Sequence, residues 1–185
     1  MKAYDQMSEQ VMRMQSLADD LITLSQLEED LEPPTEPFDV VPLLEIIVGE
    51  AEALSEGQHV IAFEAQPVMV TANQKTIRGA LGNIIFNAVK HNPNGAKINI
   101  RIIDEAEGTT ISVADDGIGI DPMEIPRLTE RFYRGDGSRN SQTGGSGLGL
   151  AIVKHAITQA GGTLTINSRL GKGAQFDVWL PDPKD

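Results

Sequence analysis

The chain has no cysteine. That excludes a thiol nucleophile, cysteine-ligated zinc and a disulfide framework, and it fits a reducing compartment. Positive charge is scarce: 15 Lys and Arg stand against 27 Asp and Glu, for a formal net charge of −12. A surface this acidic is repelled by nucleic acid and by anionic membranes unless a local basic patch intervenes, so no direct nucleic-acid partner is expected. A small polyanion such as a nucleotide stays admissible, because Mg²⁺ and a few placed cations offset its charge locally. Long apolar runs are missing too. The stretch Val40–Val48 is broken by Pro42 and Glu45, well short of the roughly 20 apolar residues that a membrane span needs. Met1–Gln10 lacks the apolar centre of a signal peptide, and the chain is expected to be soluble as it stands.

What is there divides into two parts. Tyr4–Leu31 contains neither Gly nor Pro, and Met7, Met14 and Leu21 recur every seven residues, as do Leu17, Leu24 and Leu31. Such a seam predicts one long helix made for a bundle or coiled coil, which would expose the seam if it stood alone. Residues Glu32-Pro33-Pro34-Thr35-Glu36-Pro37 break it with a stiff linker. Beyond the linker, strands and helices interleave. Phe38–Val40, His59–Ala65, Val68–Thr71, Ile98–Ile103 and Thr110–Val113 read as strands. A helix with Pro42 in its first turn runs to about Leu54. Asn73 is placed to cap another over Gln74–Lys90. Gly147–Ala160 reads as a third, ended by Gly161-Gly162. Thr163–Asn167 and Gln175–Leu180 form a closing hairpin. The expected architecture is α/β, a two-layer sandwich of helices on a mixed sheet, preceded by one long helix.

Four clusters in the second part carry possible chemistry. In Asn83-Ile84-Ile85-Phe86-Asn87-Ala88-Val89-Lys90-His91, Asn83 and Asn87 share one helical face and Lys90 follows a turn later. Two amide oxygens beside an ammonium suit Mg²⁺ and phosphate, although a solvated polar face has the same pattern. Asp115-Asp116-Gly117-Ile118-Gly119 follows a strand; its carboxylate can accept from an amine while the glycines let the backbone pass close to a ligand, and an ordinary Asp-Gly turn is the plain alternative. Arg131-Phe132-Tyr133-Arg134 heads a polar stretch running to Gly144 that has the composition of a lid. Gly144-Gly145-Ser146-Gly147-Leu148-Gly149-Leu150 opens a helix, whose exposed N–H groups suit phosphate. The Gly-Lys-Ser/Thr of a P-loop is absent, and no strand of a Rossmann unit precedes the glycines.

In this order the four clusters resemble the N, G1, F and G2 boxes of the GHKL ATPases, and among them the sensor histidine kinases, most of all their phosphate-regulon branch over Ile125–His155. The resemblance covers nearly the whole chain. It implies the Bergerat ATP-binding fold for residues 38–185, a linker at 33–37, and in residues 1–32 the second helix of a dimerisation and histidine-phosphotransfer domain, with Arg13–Leu27 its most similar part. ATP and Mg²⁺ are the implied cofactors. By the same resemblance Asn87 ligates Mg²⁺ with support from Asn83, and Lys90 and Arg134 contact the phosphates. Asp115 accepts from the adenine amino group while Gly117 and Gly119 admit the base. His91 lines the nucleotide, Phe132 anchors the lid, and Gly145, Gly147, Leu148 and Gly149 shape it. The implied partners are a histidine-bearing dimerisation helix of the same protein, a second copy, and the receiver domain of a response regulator. The implied location is the cytoplasmic side of an inner membrane.

The sequence departs from the family pattern in places. His91 stands where tyrosine is common, which bears on stacking and pH dependence. Ala174 follows Gly171-Lys172-Gly173 where threonine is usual, removing a hydroxyl near the base. Asp116 replaces a frequent asparagine. None of His59, His91 and His155 has the Ser-His-Glu-Leu-Arg-Thr-Pro-like context of a phosphoacceptor; His59 is expected at a strand edge and His155 on an exposed helix face. Autophosphorylation by this chain alone is therefore not expected. Serine kinases of the anti-sigma type, gyrase-like, Hsp90-like and MutL-like ATPases, and a nucleotide-binding module without turnover share the boxes but not the preceding helix or the activity.

Overall fold

A computed structural model describes residues 34–135 and 146–182, together with positions 7, 11, 14, 15, 18, 21, 22 and 25 of the N-terminal segment. Those isolated positions are helical. The remainder of the Tyr4–Leu31 seam lies outside the described residues.

Ten regular elements follow: β1 (Glu36–Asp39), α1 (Val40–Ser55), β2 (Val60–Phe63), β3 (Met69–Ala72), α2 (Gln74–Lys90), β4 (Lys97–Glu105), β5 (Gly108–Asp115), α3 (Gly149–Gln159), β6 (Thr163–Ser168) and β7 (Ala174–Pro181). Five strands form one sheet in the order β2-β4-β5-β7-β6, while β1 and β3 pair separately. Only β2 and β4 run parallel; the other neighbours are antiparallel. The sheet is mixed, as expected.

Alternation places one face of the sheet under the helices. Ile100, Val113, Phe176 and Ile166 stand opposite one another across four strands, and Ile102, Ile111, Val178 and Leu164 form the next row. Helix α2 fills the space above with Ile77, Leu81, Ile84 and Ile85, all essentially inaccessible, and α1 adds Leu44 and Ile47. Helix α3 contributes Val153, Ala156 and Ile157. Each such aliphatic side chain contributes about 1.5–3 kcal/mol on leaving water. Their joint burial fixes the three helices in one layer and the sheet in another.

The caps set the boundaries. Asp39 Oδ1 accepts from Val41 N at 3.0 Å and from Val68 N at 3.2 Å, so one carboxylate starts α1 and ties it to the approach of β3. Asn73 caps α2 through Thr76 N at 3.0 Å, as expected. The first strand takes in Glu36 and Pro37 from the linker, pairing Pro37 with Thr71 on an edge where a missing N–H is tolerated. Helix α3 starts at Gly149, two residues later than expected, because Gly147 has a φ of +74° that no right-handed helix accommodates. Gly161 closes the same helix with a φ of +74°.

Candidate nucleotide site

The last two turns of α2, the end of β5 and the start of α3 converge at one end of the sandwich. On α2, Asn83 and Asn87 are both half-buried, yet they are used differently. Asn83 donates to Gly79 O at 3.1 Å, and a Cβ on Gly149 would lie 3.0 Å from its Oδ1. Asn83 is thus a close spacer between α2 and the first residue of α3. The Asn87 amide makes no hydrogen bond among the described residues, and its backbone oxygen accepts from His91 N at 2.9 Å. Lys90 is exposed at the end of the helix, where a cation also complements the helix dipole.

Asp115, half-buried at the end of β5, is held by several donors. Its Oδ1 accepts from Gly117 N at 2.9 Å and from Asn92 Nδ2 at 3.1 Å, and the backbone N–H of Ala174 donates to the same carboxylate. Burial pushes the carboxyl above its ordinary value and Asp116 adds to that, while the three donors act in the opposite direction. A carboxylate offers about four acceptor positions. Two of them, on Oδ1, are taken by Gly117 N and Asn92 Nδ2. Asp116 makes a different contact, its Oδ1 accepting from Lys97 N at 2.7 Å, which an asparagine oxygen would do equally well.

The glycines here are steric requirements. A Cβ on Gly117 would fall 1.8 Å from Asn92 Oδ1, and one on Gly119, whose φ is +68°, would lie 2.1 Å from Arg169 O. The turn between β6 and β7 packs onto this loop through Gly171 N, which donates to Ile118 O at 2.7 Å. Ser168 Oγ accepts from Ile120 N at 2.8 Å.

His91 joins the three regions electrically. Burial of the ring lowers its pKa first, although the residue keeps an exposed edge; Lys90 and Arg134 lower it further, and Asp115 pulls it up. Charges from α2, from Arg134 and from β5 thus all act on this one imidazole. Arg134 is half-buried.

The described ends of the polar stretch, around Phe132 and Gly147, meet in a direct contact. Phe132, with a φ of +62°, donates its N–H to Gly147 O at 2.9 Å. A Cβ on Gly147 would sit 2.8 Å from the Phe132 carbonyl carbon. The Phe132 ring itself is exposed. Gly145 lies outside the described residues. Leu148 is fully buried and gives α3 no side-chain cap, so the first N–H groups of that helix depend on other partners.

Three residues of this site escaped the sequence reading. Asn92 and Ser168 bond across 23 and 48 positions, separations at which a sequence offers no signal. Gly173 left one: it is the second glycine of a Gly-x-Gly turn, its φ is +82°, and a Cβ there would be 1.8 Å from Asp115 O. His155 is half-buried on α3 rather than exposed. His59 sits next to β2, as expected. Two cavities lie elsewhere. One of about 310 Å³ lies beside Pro34, Asn73 and Gln159, and one of about 690 Å³ beside Glu45, Phe63 and Asp104.

The model of the histidine kinase-, DNA gyrase B- and HSP90-like ATPases matches residues 72–184, which include all four clusters. The chain belongs to that ATPase family. The chain is 46% identical over 179 residues to the phosphate regulon sensor protein PhoR of Pseudomonas aeruginosa, covering 95% of the chain and 40% of that protein. The chain thus spans well under half the length of this curated relative. Among solved structures, the mycobacterial sensor histidine kinase MprB is 26% identical with a TM-score of 0.70, over 80% of this chain and 99% of that one. Full-length ShkA in complex with AMPPNP is 27% identical with a TM-score of 0.76, over 100% of this chain and 38% of that one.

Proposed function

We propose that this chain is the ATP-binding catalytic part of a two-component sensor histidine kinase of the phosphate-regulon kind. It would transfer the γ-phosphate of ATP to a histidine on a dimerisation helix, for relay to a response-regulator aspartate. The observation that carries the reading is that Asn92 ties the turn of α2 bearing Asn87 to Asp115, donating to Ala88 O at 2.8 Å and to Asp115 Oδ1 at 3.1 Å. A neutral oxygen ligand followed by Lys90 suits a magnesium-bridged polyphosphate, and a carboxylate held in place by neighbouring donors suits the amino group of adenine.

The residues fit the implied metal. Among the described residues no group of three His, Cys, Asp or Glu side chains gathers, so a dication here would draw most of its ligands from phosphate oxygens and water. That is the habit of Mg²⁺ rather than of Zn²⁺ or Ca²⁺. When bound, it would neutralise charge on the phosphates and hold them in one geometry. Asn87 would supply the protein ligand, with Asn83 spacing α2 from α3. Lys90 and Arg134 would neutralise phosphate oxygens, and the uncapped N–H groups at the start of α3 would accept their remaining charge. Asp115 would orient the base, with Gly117 and Gly119 giving it room. His91 would line the nucleotide, and Gly145, Gly147, Leu148 and Gly149 would shape a lid hinged at Phe132. The partner imidazole then forms an N–P bond as the P–O bond to ADP breaks, and it gives up its proton to solvent or a neighbouring base.

Residues 1–32 would be the C-terminal helix of the dimerisation domain, with a linker that ends where β1 begins at Glu36 and the catalytic domain from there on. A second copy, the histidine-bearing helix and a receiver domain are the proposed partners. No helix of the described residues is long and apolar enough to cross a membrane; the proposed setting is the cytoplasmic face of an inner-membrane protein.

Two measurements test the reading. Titration calorimetry should detect Mg²⁺-dependent binding of a non-hydrolysable ATP analogue, and Asn87→Ala should abolish it; unchanged heats would remove Asn87 from the role. Incubation with ATP and a helical hairpin bearing the phosphoacceptor histidine should yield acid-labile phosphate. Acid-stable phosphoserine would assign the chain to the anti-sigma type instead.

A further inference from the structure

We propose that Asn92 is the positioning residue that sets the base specificity of the site by fixing the carboxylate of Asp115. The inference rests on the nucleotide-binding reading above. Asn92 is only 4% exposed, and every polar atom of its amide is spent. Nδ2 donates to Ala88 O at 2.8 Å and to Asp115 Oδ1 at 3.1 Å, and Oδ1 accepts from Ile118 N at 2.9 Å. Two acceptors on one side and one donor on the other leave a single orientation for the amide. The side chain thereby rivets the last turn of α2 to the end of β5 and to the loop after it. Those are the segments that carry Asn87 and Asp115.

Its backbone is braced in turn. Asn92 O accepts from Gly95 N at 2.9 Å and faces His59 Nε2 at 2.9 Å. Since a carbonyl only accepts, Nε2 carries the hydrogen and Nδ1 receives the Ser55 hydroxyl, 3.0 Å away. Ser55 Oγ also accepts from His59 N at 2.8 Å. A chain of bonds thus runs from the end of α1 through His59 and Asn92 to Asp115. The fit leaves no slack, because the amide of Asn92 occupies the space that a Cβ on Gly117 would need.

The consequence is chemical. With Oδ1 of Asp115 engaged by Asn92 and Gly117, the rest of the carboxylate is turned to one direction, where it accepts from an exocyclic amine and rejects a carbonyl. Loss of the Asn92 donor leaves Oδ1 of the carboxylate held by Gly117 N alone and gives the group more freedom to turn. Discrimination between bases then falls while phosphate contacts persist.

The test compares ATP with purine riboside triphosphate, which lacks the 6-amino group, by titration calorimetry in Mg²⁺. The protein as it stands should favour ATP by about tenfold, the worth of one hydrogen bond to a charged acceptor. In Asn92→Ala that ratio should fall toward one, while affinity for purine riboside triphosphate changes less than about threefold. Asn92→Asp keeps the shape and the acceptor for Ile118 N but sets a second carboxylate against Asp115. Its ATP affinity should drop and recover as the pH is lowered and the pair shares a proton. Equal weakening of both nucleotides in both variants, with no pH recovery, would make Asn92 a purely structural residue and overturn the inference. An unmodified chain that binds both nucleotides equally would also overturn it while leaving nucleotide binding intact. Failure to bind either would overturn the underlying reading first.

Discussion

In the proposed site, Asp115 would trade stability for recognition of the base. Burial raises its pKa above the ordinary 3.8, so between that value and the raised one the folded chain holds more protons than the unfolded chain. Its contribution to stability therefore falls as pH rises through the window and stays lost at neutral pH. Asp115→Asn keeps an oxygen for Gly117 N and Asn92 Nδ2 without the charge. The variant should melt at the same temperature as the parent or higher at pH 7, the advantage disappearing near pH 4, while ATP affinity falls at least tenfold. Calorimetric melts across pH would check the first part, and a clear loss of stability at pH 7 would show that the ionised carboxylate is needed by the fold. The place of Asp115 at a strand end was legible in the sequence, because a β run closed by an acid and Gly-x-Gly is a local pattern; its part in binding rests on the resemblance. Asn92 was not: its meaning depends on a partner 23 residues away. Asn83 and Asn87 were legible as a pair but not in their division of labour, since spacing puts both on one face and only tertiary packing commits one of them to Gly149.

Elements were easier to read than their ends. The 3.6-residue periodicity of α2 and its Asn73 cap specify both of its boundaries, because propensity, cap and core face agree. The sheet's strands were placed within about two residues on alternation, whereas β4 and β5 extend further than their apolar cores because their pairing with each other continues to Glu105 and Gly108. The start of α3 was misplaced for a reason that sequence cannot supply. Gly147 is left-handed because Phe132 passes directly against it, and Phe132 takes a positive φ in the same crossing. The crossing, the neck of the proposed lid, is thus fixed by two unusual backbone conformations and one hydrogen bond. Gly147→Ala should cost about 1–2 kcal/mol from the left-handed conformation alone, plus whatever displaces Phe132. A lowered melting temperature with ATP affinity reduced about as much as in a lid deletion would be the signature; full affinity would show that the neck plays no part in holding the nucleotide.

At the scale of the whole molecule, the sandwich and the helical positions before it differ in burial. Among the described residues, the core cluster lies between sheet and helices and starts at Phe38. Met7, Val11, Met14, Leu21 and Ile22, by contrast, are 47–70% exposed, on a segment whose seven-residue repeat is that of a helix made to pack against others. Large apolar side chains in such a row mark an association surface more often than a tolerated exposure. A charge of −12 opposes association of two copies at long range, so low salt should resist it and physiological salt, which screens beyond about 8 Å, should permit it. Sedimentation of the whole chain should accordingly show a concentration-dependent dimer that strengthens with ionic strength. A version beginning at Thr35 should stay monomeric at every salt concentration, with unchanged binding of the ATP analogue. Identical sedimentation of the two versions would place any self-association on the sandwich and detach the helical seam from it.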